Sequence, residues 1–155
     1  MMWRIPGVLS GVELALMRAA PGSWHDGQRS AGPQAAAVKR NQQFSGQDGA
    51  LPALQAQVLA ALQRNAPFFS AAPPRRVLPP MFSRYTGQTN AYGEHLDQAI
   101  RYLPSAGGEA AQALRTALAC TLILSDPQDD EGGELVLSQG LDEQAIRLPA
   151  GDLLL

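Results

Sequence analysis

The chain has 155 residues, 45% hydrophobic and 17% charged, with a formal net charge of −2 and a pI near 5.6. That length supports one domain with a real core, and the composition excludes a disordered or membrane-spanning chain. The 12 Lys and Arg are scattered and outnumbered by 14 Asp and Glu, so no basic surface argues for nucleic acid.

In chain order, Trp3 to Leu9 reads as a short strand ending in a turn at Pro6-Gly7. Ser10 is placed to cap a helix, with Glu13 three residues on as its capping-box partner. Val12, Leu14, Leu16 and Met17 supply its apolar positions, and Pro21-Gly22 ends it. W-H-D-G, Trp24 to Gly27, opens a second extended piece. Residues 27–50 are rich in Gln, Gly, Ala and Ser and read as loop, with K-R-N at Lys39 to Asn41 as a compact polar knot. Leu51, Leu54, Val58, Leu59 and Leu62 recur at helical spacing and predict a helix ending near Asn65, before Pro67. The Pro-rich passage that follows reads as a connector, because proline resists helix interiors and central strands alike.

From Met81 the pattern turns to short strands. M-F-S-R-Y-T is a strand candidate, G-Q-T-N a turn, and Y-G-E-H-L-D a second extended segment. Residues 104–113 read as a loop, and L-A-C-T-L-I-L as a buried strand that carries the lone Cys120 as a small buried hydrophobe. S-D-P-Q-D-D-E-G-G is an acidic turn-forming loop. E-L-V-L-S, Q-A-I-R-L-P and D-L-L-L follow as three more strands. Helices first and short strands after predict an α+β arrangement ending in a sandwich or jelly roll. No basic leader precedes a long apolar run, and no run reaches the ~20 residues a spanning helix needs, so the chain reads as cytosolic with no membrane partner.

The chemistry centres on His95 and Asp97, one of only two histidines and a carboxylate two residues on. In an extended segment the two point to one face, with Leu96 turned toward the core. An imidazole nitrogen beside a carboxylate oxygen supplies two ligands of the facial triad of non-heme Fe(II) oxygenases. A bare H-x-D is also compatible with a surface ion pair. Tyr85 and Tyr92 precede the pair, and a strand–turn–strand brings both phenols near one pocket as neutral donors. His25 lies far upstream in a polar segment and reads as a surface or structural residue.

Taken together, M-F-S-R-Y-T-G, Y-G-E-H-L-D-Q-A-I-R, T-L-I-L, D-D-E-G-G-E-L and L-P-A-G-D-L-L-L resemble the bacterial PKHD-type hydroxylases. These are Fe(II)- and 2-oxoglutarate-dependent dioxygenases related to prolyl hydroxylases. I-P-G-V-L-S, W-H-D-G, K-R-N-Q-Q and R-N-A-P-F-F-S-A-A-P-P extend the resemblance over the N-terminal half. It implies a double-stranded β-helix, or jelly roll, buttressed on one side by N-terminal helices. Residues 1–80 then form the helical buttress and 81–155 the first part of the dioxygenase domain. On the same resemblance His95 and Asp97 match the first two iron ligands, and Tyr85 and Tyr92 lie near 2-oxoglutarate. Ascorbate keeps the iron reduced, and the other partners are O2 and a small-molecule or peptidyl substrate.

The chain departs from that pattern at its end. The family's third ligand is a histidine beyond the D-L-L-L strand, followed by an arginine that holds the distal carboxylate of 2-oxoglutarate. No histidine follows His95, and Arg147 precedes the relevant strand. The expectation is therefore a C-terminally truncated, incomplete jelly roll, with D-L-L-L left as an unpaired apolar strand that invites self-association. The alternatives to the dioxygenase are a truncated, inactive relic and a non-enzymatic β-sandwich binding module.

Overall fold

The computed structural model describes residues 2–45, 49–103 and 111–155. Among these, four α-helices and twelve short strands make an α+β chain of small antiparallel sheets. The chain divides into two compact units, each assembled from several stretches.

The first unit comprises Met1–His25, Gln43–Phe82 and Cys120–Leu155. Its strands include β1 (Arg4–Ile5), β9 (Thr121–Leu122) and β12 (Leu153–Leu154). These form one antiparallel sheet with β12 in the middle, Ile5 opposite Leu153 and Leu153 opposite Leu122. The D-L-L-L strand is thus paired on both sides and buried, Leu153 being 1% exposed. This corrects the expectation of an unpaired apolar edge and removes the reason given for self-association.

Asp152 fastens the arrangement. Its carboxylate accepts from Arg4 Nε at 2.8 Å and from the Gly7 backbone N–H at 3.0 Å. Gly151 has φ +91°, and a Cβ there would stand 2.6 Å from the Leu9 carbonyl, whose own N–H and that of Val8 bond to the Gly151 carbonyl. Only glycine meets both demands.

Helix α1 (Gly11–Arg18) starts at Ser10 with the capping box foreseen: Ser10 accepts from the Glu13 N–H, and the Glu13 carboxylate accepts from the Ser10 N–H. Only Leu14 and Met17 of its apolar residues are buried. Val12 and Leu16, counted among its apolar positions, are 71% and 60% exposed. Helix α3 (Ala50–Gln63) buries Leu54, Val58, Ala61 and Leu62; of the predicted stripe, Leu51 and Leu59 are only partly buried, and Ala61 joins it. Arg64 reaches back to Glu13 at 2.7 Å. The Ser10 backbone N–H, above all, holds the Glu13 carboxyl below its ordinary pKa, with the Ser10 hydroxyl and Arg64 acting the same way against some burial. A carboxyl so depressed stabilises the fold fully above its unfolded pKa, and that contribution is lost as pH falls through the folded value. Glu13→Gln is accordingly expected to flatten the fall of the melting temperature on acidification from about pH 5 to 3, measured by circular dichroism.

Helix α4 (Ala66–Ala71) is capped by the Asn65 side chain, which accepts from the Phe68 N–H at 2.9 Å. It occupies part of the passage read as a connector, and Pro67 lies in its first turn, where a missing N–H costs nothing. Strands β10 (Leu135–Gln139) and β11 (Asp142–Ile146) cover two of the predicted strands, the second beginning earlier than Q-A-I-R-L-P, and pair as a hairpin turned at Gly140 with φ +68°. The L-A-C-T-L-I-L run is strand only at β9 and shallower than expected: Cys120 is exposed, and Leu122 and Leu124 are only partly buried.

The second unit comprises Asp26–Gln42 and Ser83–Ala119. Residues 27–50, read as loop, instead contain a 3₁₀ turn at Gly27–Ser30, helix α2 (Pro33–Val38) and strand β3 (Lys39–Arg40). Strand β3 pairs with β6 (Ala91–Tyr92), Lys39 opposite Tyr92. Strands β7 (Ile100–Leu103) and β8 (Gln112–Arg115) form a hairpin. Residues 112 and 113 are therefore strand rather than loop, and 104–110 lie outside the described residues. The M-F-S-R-Y-T candidate contains strand only at β5 (Ser83–Arg84), and the G-Q-T-N turn is closed by paired Thr86 and Thr89. The remaining strands β2 (Trp24–Asp26) and β4 (Gln42–Phe44) flank α2 and β3 in the chain. No helix of the described residues is long and apolar enough to cross a membrane.

Candidate metal centre

The site residues all belong to the second unit. Strand β6 delivers Tyr92, and the next residue, Gly93, continues the pairing by donating its N–H to the Val38 carbonyl at 2.9 Å. A Cβ on Gly93 would stand 2.9 Å from the Val38 side chain, so this approach requires glycine. The chain then leaves the strand. Residues 93–98 are irregular, and Leu96 is 90% exposed. The extended geometry expected for His95-Leu96-Asp97, with Leu96 toward the core, is not what brings the two polar side chains together.

They nonetheless meet. His95 Nε2 lies 3.6 Å from Asp97 Oδ1. The other ring nitrogen, Nδ1, lies 2.8 Å from the Gly93 carbonyl oxygen. A carbonyl only accepts, so Nδ1 carries the proton and Nε2 of the neutral ring keeps its lone pair toward the carboxylate. This is the second contact that metal-ligating histidines characteristically make. The Tyr92 ring stacks on the imidazole, centroids 3.7 Å apart and 11° from parallel, and fixes the ring plane. His95 is 23% exposed and Asp97 72%, so the pair opens to solvent on the carboxylate side.

The 3.6 Å separation exceeds a hydrogen bond. Metal bonds of about 2.1 Å from each atom span it comfortably. The two donors therefore fit a divalent cation of the borderline-hard kind that imidazole and carboxylate bind together. They are two ligands, not three: among the described residues no group of three or more His, Cys, Asp and Glu stands close enough to hold a metal. His25 lies in β2 of the other unit, half-buried.

The tyrosines are placed differently from one another. The Tyr85 hydroxyl accepts from Asn41 Nδ2 at 3.1 Å, which leaves its own proton free to be donated. Burial pushes the Tyr85 pKa up, the Asn41 contact opposing. Burial likewise raises Tyr92, and the negative charges of Asp97 and of an ionised Tyr85 add to it. Both phenols thus stay protonated donors across neutral pH, and the mutual influence marks them as neighbours.

Two residues beneath this surface were not singled out as functional from the sequence. Lys39 is 4% exposed and Asn41 1%, with exposed Arg40 between them. Asn41 is held by the Gly27 N–H, which donates to its carbonyl at 2.9 Å, and a Cβ on Gly27 would collide with Asn41 Oδ1 at 1.9 Å. The W-H-D-G glycine and the K-R-N knot are therefore one structural feature. The only trace in the sequence was the compactness of K-R-N.

Comparison with known proteins identifies the family of the chain. The chain is 43% identical to the PKHD-type hydroxylase NE2125 of Nitrosomonas europaea over 157 residues, covering all of the chain and 67% of the relative. It is 44% identical to the PKHD-type hydroxylase YbiX of Escherichia coli strain 55989, again over the whole chain and 67% of the relative. For the PKHD-type hydroxylase XAC2942 of Xanthomonas axonopodis pv. citri the identity is 43%, with 68% of the relative covered. No family model matches the chain. The chain belongs to the PKHD-type hydroxylases, an enzyme family of which these relatives are bacterial members.

Proposed function

We propose that this protein is an Fe(II)- and 2-oxoglutarate-dependent dioxygenase that hydroxylates an unactivated C–H bond, on a jelly-roll domain buttressed by the N-terminal helices. The observation that carries the reading is the His95–Asp97 pair: a lone-pair nitrogen and a carboxylate oxygen 3.6 Å apart with the opposite ring nitrogen tied to a carbonyl. Two electron-rich atoms so held repel unless a proton or a cation stands between them. Membership of a hydroxylase family favours the cation.

His95 and Asp97 would hold the metal, and Tyr85 and Tyr92 would donate their hydroxyls to the carboxylates of 2-oxoglutarate. A bound ferrous ion supplies the coupling of O2 reduction to decarboxylation of 2-oxoglutarate, giving succinate, CO2 and a hydroxylated substrate. The chain's own work is to orient and to exclude. Stacking by Tyr92 and the Gly93 contact fix the imidazole before any ligand arrives. Asp97 contributes the one protein anion, leaving charge for an anionic co-substrate. Ascorbate serves to keep the iron reduced, and the substrate is a small molecule or a peptidyl side chain. The resident compartment consistent with this chemistry is the bacterial cytoplasm.

The test is Fe(II)-dependent conversion of 2-oxoglutarate to succinate by the purified chain with ascorbate present. Succinate above the metal-free background supports the reading. A rate indistinguishable from free Fe(II) in buffer counts against it.

A further inference from the structure

Asn41 is the most deeply buried polar residue among those described, at 1% exposed, and its Oδ1 has no hydrogen-bond partner there. Gly27 holds it twice. The Gly27 N–H donates to the Asn41 carbonyl at 2.9 Å. A Cβ on Gly27 would stand 1.9 Å from Asn41 Oδ1, so a Cα hydrogen of Gly27 points toward that oxygen. The two ends of the amide are therefore not interchangeable. An oxygen tolerates a polarised C–H in front of it, whereas an NH2 group turned there would set hydrogen against hydrogen. Nδ2 is thus fixed on the other side, where it donates to the Tyr85 hydroxyl at 3.1 Å. A hydroxyl that accepts from a fixed amide turns its own hydrogen away from that amide. No acceptor for that hydrogen stands among the described residues, and Tyr85 is 46% exposed, so the hydroxyl can reach a bound molecule. The backbone just after Tyr85 is also held, since Thr86 and Thr89 exchange hydrogen bonds at 3.1 and 2.9 Å. A leucine would fill similar space without an orphaned acceptor, so packing alone does not account for the amide.

We propose that Asn41 is a positioning residue that acts through Tyr85, making its hydroxyl an obligate hydrogen-bond donor to a bound carboxylate. Asn41 itself touches no ligand: Oδ1 is closed off by Gly27, and Nδ2 faces Tyr85. A phenol free to rotate offers a carboxylate either its hydrogen or its lone pairs, and the lone pairs repel. Holding the hydrogen away from Asn41 removes the repelling orientation before the ligand arrives. That the carboxylate belongs to the 2-oxo acid rests on the dioxygenase reading. The setting of the hydroxyl by Asn41 does not.

The experiment is a double-mutant cycle on the whole chain. 2-Oxoglutarate is titrated by calorimetry into Co(II)-loaded wild type, Asn41→Leu, Tyr85→Phe and the double variant. Tyr85→Phe is expected to weaken binding at least about tenfold, the loss of a charge-assisted hydrogen bond. Asn41→Leu should weaken it at least about threefold in the presence of Tyr85, and by less than about twofold once Tyr85 is already replaced. The melting temperature of Asn41→Leu should hold, since the orphaned acceptor goes with the bond. A second readout needs no ligand. The Asn41 N–H favours the phenolate against the burial that raises the Tyr85 pKa. The Tyr85 ionisation, identified by ultraviolet titration as the step missing from Tyr85→Phe, should therefore move upward in Asn41→Leu. Equal losses of affinity in the two backgrounds would overturn the proposal and mark Asn41 as purely structural. So would unchanged binding in Asn41→Leu or in Tyr85→Phe, or an unmoved Tyr85 ionisation. Should Asn41→Leu fail to fold, Asn41→Ala carries the same cycle. If wild type takes up no 2-oxoglutarate, the dioxygenase reading fails by itself, and the Tyr85 ionisation still decides the role of Asn41.

Discussion

Replacing His95 with alanine is expected to abolish Fe(II)-dependent turnover of 2-oxoglutarate, and Asp97→Ala to do the same. Disturbing an outer partner of a metal-ligating histidine costs roughly 10–100-fold in metal affinity or activity. Removing a ligand outright from a site that draws two from the described residues must cost at least about 100-fold. Neither change should disturb folding. Asp97 is largely exposed, and the imidazole contributes one stacking contact and one hydrogen bond to a carbonyl that can turn to water. Circular dichroism of both variants should therefore match wild type while succinate production falls to the buffer background. Turnover retained in either variant at more than a tenth of the wild-type rate would mean that this pair does not hold the iron.

The largest effect on stability is expected at Leu153. It is 1% exposed, lies in the middle strand of the β1–β12–β9 sheet and belongs to the main hydrophobic core. Leu153→Ala should cost about 2–5 kcal/mol, the usual range for a buried leucine whose cavity cannot collapse. Against a typical total of about 5–15 kcal/mol that is a large fraction. Leu96→Ala, at a residue 90% exposed, should stay within about 0.5 kcal/mol. Urea denaturation midpoints of the two variants measure the contrast. Equal midpoints would show that β12 is not part of the core.

Legibility in the sequence followed the range of the interactions. Helix α1 announced itself because a capping box is complete within four residues, and α3 because its apolar stripe repeats over fourteen. Strands β10 and β11 were read as strands, but their pairing as a hairpin about Gly140 was not. The six-residue helices α2 and α4 are too short to show a period, and each carries a proline that reads as a break until its place in the first turn is known. The burial of β12 could not be seen locally. Its partners are β1 and β9, and Asp152 bonds to Arg4 across 148 residues. Val12 and Leu16 of α1 show that the apolar positions of a helix need not all find a core.

For the site, the residue types of H-x-D and of the two tyrosines were visible, and the resemblance to the hydroxylases gave them roles. The geometry was not visible. His95 and Asp97 meet across irregular backbone held by the Gly93–Val38 contact, not by the alternation of a strand. Lys39 and Asn41 went unread because a polar knot in a loop-like segment carries no sign of burial. What buries them is the pairing of β3 with β6 and the close approach of Gly27, neither of which a local window contains.

The central claim is that His95 and Asp97 jointly ligate a divalent metal, and the direct measurement is a Co(II) titration followed by visible absorption. One equivalent should bind to the wild-type chain with a d–d spectrum perturbed by added 2-oxoglutarate, and His95→Ala and Asp97→Ala should each lose it. The same spectrum and affinity in the two variants, or no Co(II) uptake by the wild type, would contradict the claim and leave the pair as an ordinary ion pair on an irregular loop.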